Sequence, residues 1–346
     1  MIRTAIAGAS GYTGAELVGL LAKHPEVTIA AVCGDSSAGQ TWQDLYPARA
    51  HLFEGTIETF DPDRLAGLDV VFLALPHGAS AAAAARLRGR VGRIIDLSGD
   101  LRFDDPDVYS RWYGFSHPHP ELLGSAVYAI PELFPEKIAG ADLIACAGCY
   151  ATVAQLAAAP ALGLLETTTD VHVVAASGTS GAGRKASVPL SFSEVFGDLR
   201  PYRVGKHQHA PEIAAGLSRH SGRGVRVTFV PHLAPIERGI SAAAIIQCGE
   251  LPNPDELLST YQRTYASAKF VRVLDPSDRL PSVREVAGTN FCSLSPVVDE
   301  SGASVVILGA IDNLLKGAAG QAVQVFNLAA GLAEETGLLP VREVSS

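Results

Sequence analysis

Basic charge is too scarce in this chain to favour nucleic acid or an anionic membrane as a partner. Lys and Arg together number 27 against 36 Asp and Glu, a formal net charge of −9, whereas either partner calls for a basic face. The acidic balance leaves an anionic small molecule open, because one arginine or a helix N-terminus can bind it. Long hydrophobic runs are also missing. The Ala-rich stretch ASAAAAARL (79–87) falls far short of the ~18 apolar residues a membrane span needs. The N-terminus, MIRTAIAGASG, runs straight into a strand-like segment with no apolar signal region. A cytoplasmic protein without membrane attachment is expected.

Cysteine is sparse and odd in number, at five, so in a chain of this size without a signal region the thiols are expected to stay reduced. Cys146 and Cys149 form the only C-x-x-C. Redox exchange is a rival reading of that spacing, but no second C-x-x-C or C-x-x-H completes a zinc site, and no metal is expected. What is present describes an ordinary globular protein, with 47% hydrophobic and 18% charged residues. A length of 346 residues suits about two domains at ~100–200 residues each.

The first third alternates buried strand-like runs with amphipathic segments: strands at 3–9, 27–34, 70–76, 93–99 and 142–148, helices at 13–24 and 79–89. Such runs, apolar on both faces and separated by helices, imply a doubly wound parallel α/β domain of Rossmann type. After a helix at 151–165 the strands become longer and more alternating, at 170–177, 225–234, 239–248, 269–275 and 304–311. That half reads as an α+β domain with a mixed or antiparallel sheet. The tail 313–338 is one long helical pattern that returns to the first domain. The expected division is therefore 1–148 with 313–346, and 149–312.

Chemistry-bearing residues concentrate in a few stretches. GASGYTG places Gly8, Gly11 and Gly14 between the first strand and first helix, where glycines let a pyrophosphate approach the backbone and helix N–H groups favour an anion. After the second strand, CGDSS has Asp35 for a ribose hydroxyl or Ser36 and Ser37 for a 2′-phosphate, and the choice stays open. GKHQHAPE brings His207, His209 and Glu212 together, either an acid/base cluster or an exposed polar turn. SGTSGAGRK, with Arg184, suits an anion or a flexible loop. Arg102 and Arg238 each sit beside a strand, as carboxylate or phosphate clamps or structural ion pairs. Cys149 of AGCYAT is by composition a small core residue as readily as a nucleophile.

Taken together, GASGYTGAEL, LALPHGAS, DLSGDLRF, VYAIPELF, AGCYAT, GKHQHAPEI, PHLAPIERGI, GTNF and AIDNLLKGAAGQAVQ make the chain resemble the N-acetyl-γ-glutamyl-phosphate reductases over nearly its full length. These enzymes belong with the aspartate-semialdehyde dehydrogenases, whose catalytic domain is similar to that of glyceraldehyde-3-phosphate dehydrogenase. The resemblance implies NADPH-dependent reduction of an acyl phosphate through a cysteine thioester, in arginine biosynthesis. It makes Cys149 the nucleophile and a histidine of GKHQH the acid/base. Cofactor contacts are implied at Ser10, Gly11, Tyr12 and Thr13, at Pro76, His77 and Gly78, at Leu97 and Ser98, at Ser177 and Gly178, and at Asn313. Many relatives have Ser-Arg where this chain has Gly34-Asp35, which weakens the NADP assignment and leaves Ser36, Ser37 and backbone groups to meet the 2′-phosphate. A carrier-bound aminoadipyl phosphate of lysine biosynthesis is the second substrate candidate. From other classes, a cysteine hydrolase and a non-catalytic nicotinamide sensor remain alternatives.

The expected mechanism follows. Cys149 opens the second domain at a helix start, facing the cleft, where the helix dipole favours a thiolate. His207 precedes the helix that Pro211 begins, free to act as acid/base with Glu212 orienting its ring, while His209 serves the backbone or the substrate. Arg102, Arg184 and Arg238 are the candidate substrate cations. Cys33, Cys146, Cys248 and Cys292 are packing residues. A homo-oligomer, dimer or tetramer, is expected.

Overall fold

The computed structural model describes residues 1–165 and 168–339. The chain divides into two compact units, residues 1–147 with the chain from Ala318 onward, and Gly148–Gly317.

The first unit is built on a six-stranded sheet in the order β2-β1-β3-β4-β6-β5, parallel throughout. Its strands are β1 (Ile2–Ala7), β2 (Val27–Cys33), β3 (Val70–Leu73), β4 (Arg93–Asp96), β5 (Val127–Ala129) and β6 (Leu143–Cys146). Every residue of β3 and β6 is buried, which is why these segments are apolar without alternation. Helix α1 (Tyr12–Leu21) buries Gly14, Leu17, Val18 and Leu21, one face at helical spacing. Helix α2 is Ala79–Leu87. Strand order reverses between β1 and β3, and in such sheets ligands bind beyond the carboxyl ends of the strands at that point. The glycine turn, Pro76–Gly78 and Leu97–Ser98 follow β1, β3 and β4 there.

The second unit carries a seven-stranded mixed sheet, β11-β12-β13-β10-β7-β9-β8. Its strands are β7 (Asp170–Ser177), β8 (Arg200–Pro201), β9 (Arg226–Leu233), β10 (Ile240–Gln247), β11 (Val271–Val273), β12 (Cys292–Asp299) and β13 (Ser304–Ile311). Helix α3 (Cys149–Leu164) packs on β10 and β13, flanked by α4 (His209–Ser221) and α5 (Pro254–Thr264). Pro160 lies inside α3, so the carbonyl four residues earlier loses its N–H partner. The hydroxyl of Tyr265 replaces it, donating to Leu156 O at 2.5 Å, and Tyr261 donates to Ala157 O at 2.5 Å. Tyr265 thus compensates the carbonyl orphaned by Pro160, and Tyr261 adds a second tie from α5 to the helix that begins with Cys149.

Strand β12 has no counterpart in the expected elements, and Pro296 within it explains why. β11 pairs only with Cys292–Leu294, so at Pro296 the far side of β12 is an edge, where a missing N–H is harmless. The expected helix over 313–338 is also corrected. A π-turn at Leu315–Ala319 precedes a shorter helix, α6 (Gly320–Ala329), and the chain turns at Gly331 with φ +73°. In α6, Phe326 meets Phe72 of β3 at a ring separation of 5.9 Å. Among the described residues, no helix is long and apolar enough to cross a membrane.

Candidate active site

The glycine turn of the first unit fits a dinucleotide. Gly8 has φ +89°, and a Cβ there would meet Ala74 O at 2.2 Å; a Cβ on Gly14 would meet Gly8 O at 2.2 Å. Both glycines are demanded by the protein's own packing. Gly11 is not: its φ is −82°, and a Cβ would touch only Gly8 O, at 3.5 Å. No side chain caps α1 at Gly11, so the first-turn N–H groups have no side-chain acceptor there. An uncapped helix start beside a residue kept small without an internal steric need is the form a pyrophosphate requires.

Other expected cofactor contacts are engaged within the unit. The Gly78 N–H donates to both carboxylate oxygens of Asp100 at 2.8 Å, and Ala81 N–H adds a third bond at 3.0 Å. Asp100 thereby fills the N-terminus of α2. Pro76 and His77 stay exposed, with His77 Nδ1 accepting the Gly99 N–H at 3.0 Å. Leu97 N–H pairs with Leu73 O at 2.9 Å, and Ser98 donates through both N–H and Oγ to Asp96. Burial pushes the Asp96 carboxyl up to about 6. Arg102 is buried, giving Nε to Cys146 O at 2.9 Å and Nη2 to Leu97 O at 3.1 Å. Two of its donors thus hold backbone carbonyls. Past β2, Asp35 and Ser36 are exposed and Ser37 is buried.

In the second unit, Cys149 is the first residue of α3, two positions before the expected helix start. Its thiol is half-buried, and the residue before it, the N-cap Gly148, has no side chain to cap α3, so the helix dipole acts on the sulfur. Gly317 presses on it. A Cβ on Gly317 would lie 2.6 Å from Cys149 Cβ and 3.1 Å from its Cα. Cys146, by contrast, belongs to the first unit, and burial pushes its thiol up to about 12. It stays protonated.

Glu212 links the nucleophile's helix to a histidine. One carboxylate oxygen accepts the N–H of Gly148 at 2.8 Å, and the other stands 3.9 Å from Nε2 of His209. His209 opens α4 and Glu212 follows three residues later, one turn away on the same face. Glu212, expected to orient the His207 ring, contacts His209 and reaches His207 only through space. His207 makes no hydrogen bond or ion pair with that carboxylate; its Nδ1 accepts the His209 N–H at 3.1 Å. Its ring is boxed by Tyr150, Tyr202, Phe229 and His209, with centroids 4.9 to 5.7 Å away. Burial, reinforced by His209 and Arg203, drives the His207 ring down to about 2. The ring is therefore uncharged at neutral pH. Behind it the hydroxyl of Tyr202 donates to that of Tyr150 at 3.2 Å, and Tyr150 donates to His232 O at 3.0 Å.

Arg238 is held by Asp312, with Nε–Oδ2 at 3.1 Å and Nη2–Oδ1 at 3.2 Å. Asp312 is fully buried and also accepts N–H bonds from Gly288, Leu314 and Leu315. A carboxylate with that many donors fixes the guanidinium's orientation. Asn313 bridges two loops, accepting Gly239 N–H at 2.6 Å and donating to Ser180 Oγ at 3.0 Å. Ser177 and Gly178 are buried; Arg184 is exposed in the loop that follows. Asp312, Gly317, Tyr150 and Tyr202 went unremarked in the sequence. The first three lie in or beside motifs that drew attention for other residues.

Comparison with known proteins agrees with this architecture. The semialdehyde dehydrogenase NAD binding domain matches residues 3–141, and the semialdehyde dehydrogenase dimerisation domain matches residues 149–313. The N-acetyl-gamma-glutamyl-phosphate reductase of Desulforudis audaxviator is 44% identical over 342 residues, 98% of each chain. That of Citrifermentans bemidjiense is 44% identical over 346 residues, 99% of each. Among solved structures, aspartate semialdehyde dehydrogenase II of Vibrio cholerae superimposes with a TM-score of 0.71 at 16% identity, over 95% of this chain and 98% of that one, which bears on the fold alone. A nicotinamide-binding domain joined to a dimerisation domain, with full-length relatives at this identity, places the chain in the N-acetyl-gamma-glutamyl-phosphate reductase family of semialdehyde dehydrogenases.

Proposed function

We propose that this protein reduces N-acetyl-γ-glutamyl phosphate to N-acetylglutamate semialdehyde and phosphate in arginine biosynthesis, through a thioester on Cys149. The observation that carries the mechanism is the Glu212 carboxylate, set between Gly148 N–H and His209. His209 takes the proton of the Cys149 thiol, and Glu212 stabilises the resulting imidazolium. The thiolate attacks the acyl carbon; the C–S bond forms, the bond from that carbon to the phosphate oxygen breaks, and phosphate leaves, taking a proton from water. The nicotinamide, when bound, supplies the hydride that reduces the thioester. His209 then donates a hydrogen bond to the developing oxyanion, and collapse of the C–S bond returns the thiolate and frees the aldehyde. Arg238, oriented by Asp312, and Arg184 are the cations for the substrate's anionic groups.

The coenzyme is NADPH in this proposal. The glycine turn holds the pyrophosphate, and Ser36 meets the 2′-phosphate with the carboxylate of Asp35 beside it. The preference over NADH is accordingly modest. The protein works in the cytoplasm as a homo-oligomer, a dimer at least.

The test is phosphate-dependent reduction of NADP⁺ with N-acetylglutamate, aspartate and aminoadipate semialdehydes side by side. N-acetylglutamate semialdehyde is the expected substrate. Cys149→Ala abolishes that turnover while NADPH still binds, and Cys146→Ala retains it. Turnover surviving in the Cys149 variant overturns the mechanism, and preference for another semialdehyde overturns the substrate.

A further inference from the structure

We infer that Tyr46 is a positioning residue for the dinucleotide, acting through the backbone of the glycine turn. This rests on the reading that the turn holds a pyrophosphate.

The segment after β2 folds back over the start of α1. Thr41 caps a one-turn helix, Trp42–Leu45, by accepting the Asp44 N–H. The Trp42 side chain is fully buried, and its indole N–H donates to Arg49 O at 2.8 Å. The Tyr46 ring leans on the Trp42 ring at 4.8 Å. Its hydroxyl donates to Ser10 O at 2.8 Å and lies 3.3 Å from Gly11 O. Arg49 fastens the next turn, giving Nη1 to Ala15 O at 3.1 Å and Nη2 to Glu16 at 2.7 Å.

The hydroxyl's position decides what it does. The Ser10–Gly11 peptide has its oxygen bound by Tyr46 and its N–H donated to Gly8 O at 3.1 Å. Both ends of that peptide plane are tied. A peptide entering a glycine otherwise turns over at little steric cost, since no Cβ opposes it. Reversal would move the Ser10 carbonyl from Tyr46 and disturb the N–H groups that begin α1. Tyr46 therefore preorganises the turn before a ligand arrives, and preorganisation appears as affinity.

The test is equilibrium binding of NADPH and of NADH to the intact protein, followed by nicotinamide fluorescence, for the parent, Tyr46→Phe and Arg49→Met. Phenylalanine keeps the ring on Trp42 and removes only the hydroxyl. Losing one hydrogen bond of this kind is expected to weaken binding roughly threefold to tenfold. The factor is the same for both coenzymes, because both carry the pyrophosphate. Arg49→Met, one turn further from the glycines, shows a smaller loss. The alkylation rate of Cys149 by iodoacetamide stays at the parent's value, which separates a local effect from general loosening. Binding by Tyr46→Phe within twofold of the parent overturns the proposal. So does a loss confined to NADPH, which would place the effect at the ribose phosphate. A parent that binds neither coenzyme overturns the underlying reading of the turn as well.

Discussion

The carboxylate of Glu212 stands 3.9 Å from the Nε2 of His209 while its other oxygen holds the backbone N–H of Gly148, the residue before Cys149. One side chain from α4 thus sets the start of α3 and the charge beside a histidine. Those two duties respond differently to substitution.

Glu212→Gln keeps an oxygen for the Gly148 N–H and removes the charge. It should lower kcat about tenfold or more with little change in KM or thermal stability. Glu212→Ala removes both, leaving a buried N–H without its acceptor at a cost of about 1–3 kcal/mol. Its melting temperature should fall as well as its kcat. Steady-state kinetics and thermal denaturation of the pair separate the roles; equal loss of stability in both variants would leave no separate duty for the charge.

Gly317 sets the position of Cys149 from the other side. With a Cβ 2.6 Å from that of the cysteine, Gly317→Ala must displace α3's first residue or the π-turn. Misplacement by about 1 Å can cost on the order of 10²-fold in rate, and a loss of that order is expected here. The glycine turn lies in the other unit, so NADPH affinity should stay unchanged. Single-turnover kinetics and coenzyme titration check both halves of the expectation; near-parental rates would show that the contact is easily relieved.

How much of this was legible in the sequence depends on the range of the interaction. Gly8 and Gly14 announce the dinucleotide turn because their spacing between a strand and a helix is local, although the steric demand on Gly8 comes from Ala74, 66 residues on. Strands β3 and β6 of the first sheet show as apolar runs because both faces are buried. Cys149 is ambiguous in its own stretch, and only the family resemblance, with the helical pattern after it, singles it out. The contact of Glu212 with His209 is not legible in the segment because it depends on α4 starting at His209, which puts that ring one turn from the carboxylate. Tyr46 and Ser10 are 36 residues apart and Asp312 and Arg238 are 74 apart; no local pattern reports such contacts. Strand β12 was hidden by Pro296, whose tolerance reflects how far β11 extends.

The coenzyme preference is tested at Asp35. Its carboxylate is exposed beside Ser36 at the end of β2, where a 2′-phosphate would meet like charge. Asp35→Ser should raise the ratio of kcat/KM for NADPH over NADH by a few-fold, and more at low ionic strength than at high. Ser36→Ala should lower it. A parent enzyme that prefers NADH would remove the basis for both.

The two histidines predict different pH behaviour. The His207 ring is held down to about 2 in the folded protein, against about 6.5 in an unfolded chain. Between those values the unfolded state binds the extra proton, so stability falls as pH falls. The contribution is complete above about pH 6.5 and is lost progressively below it, approaching about 1.4 kcal/mol per pH unit well under 6.5. His207→Gln cannot take up that proton. Its urea midpoint should therefore fall less steeply than the parent's between pH 6.5 and 5, with turnover at pH 7.5 only modestly reduced. His209→Asn should leave the slope due to His207 in place and lower turnover by ~10²–10⁴-fold. An unchanged stability slope in His207→Gln would mean that the ring is already protonated when folded. A turnover loss larger than that of His209→Asn would return the acid/base role to His207.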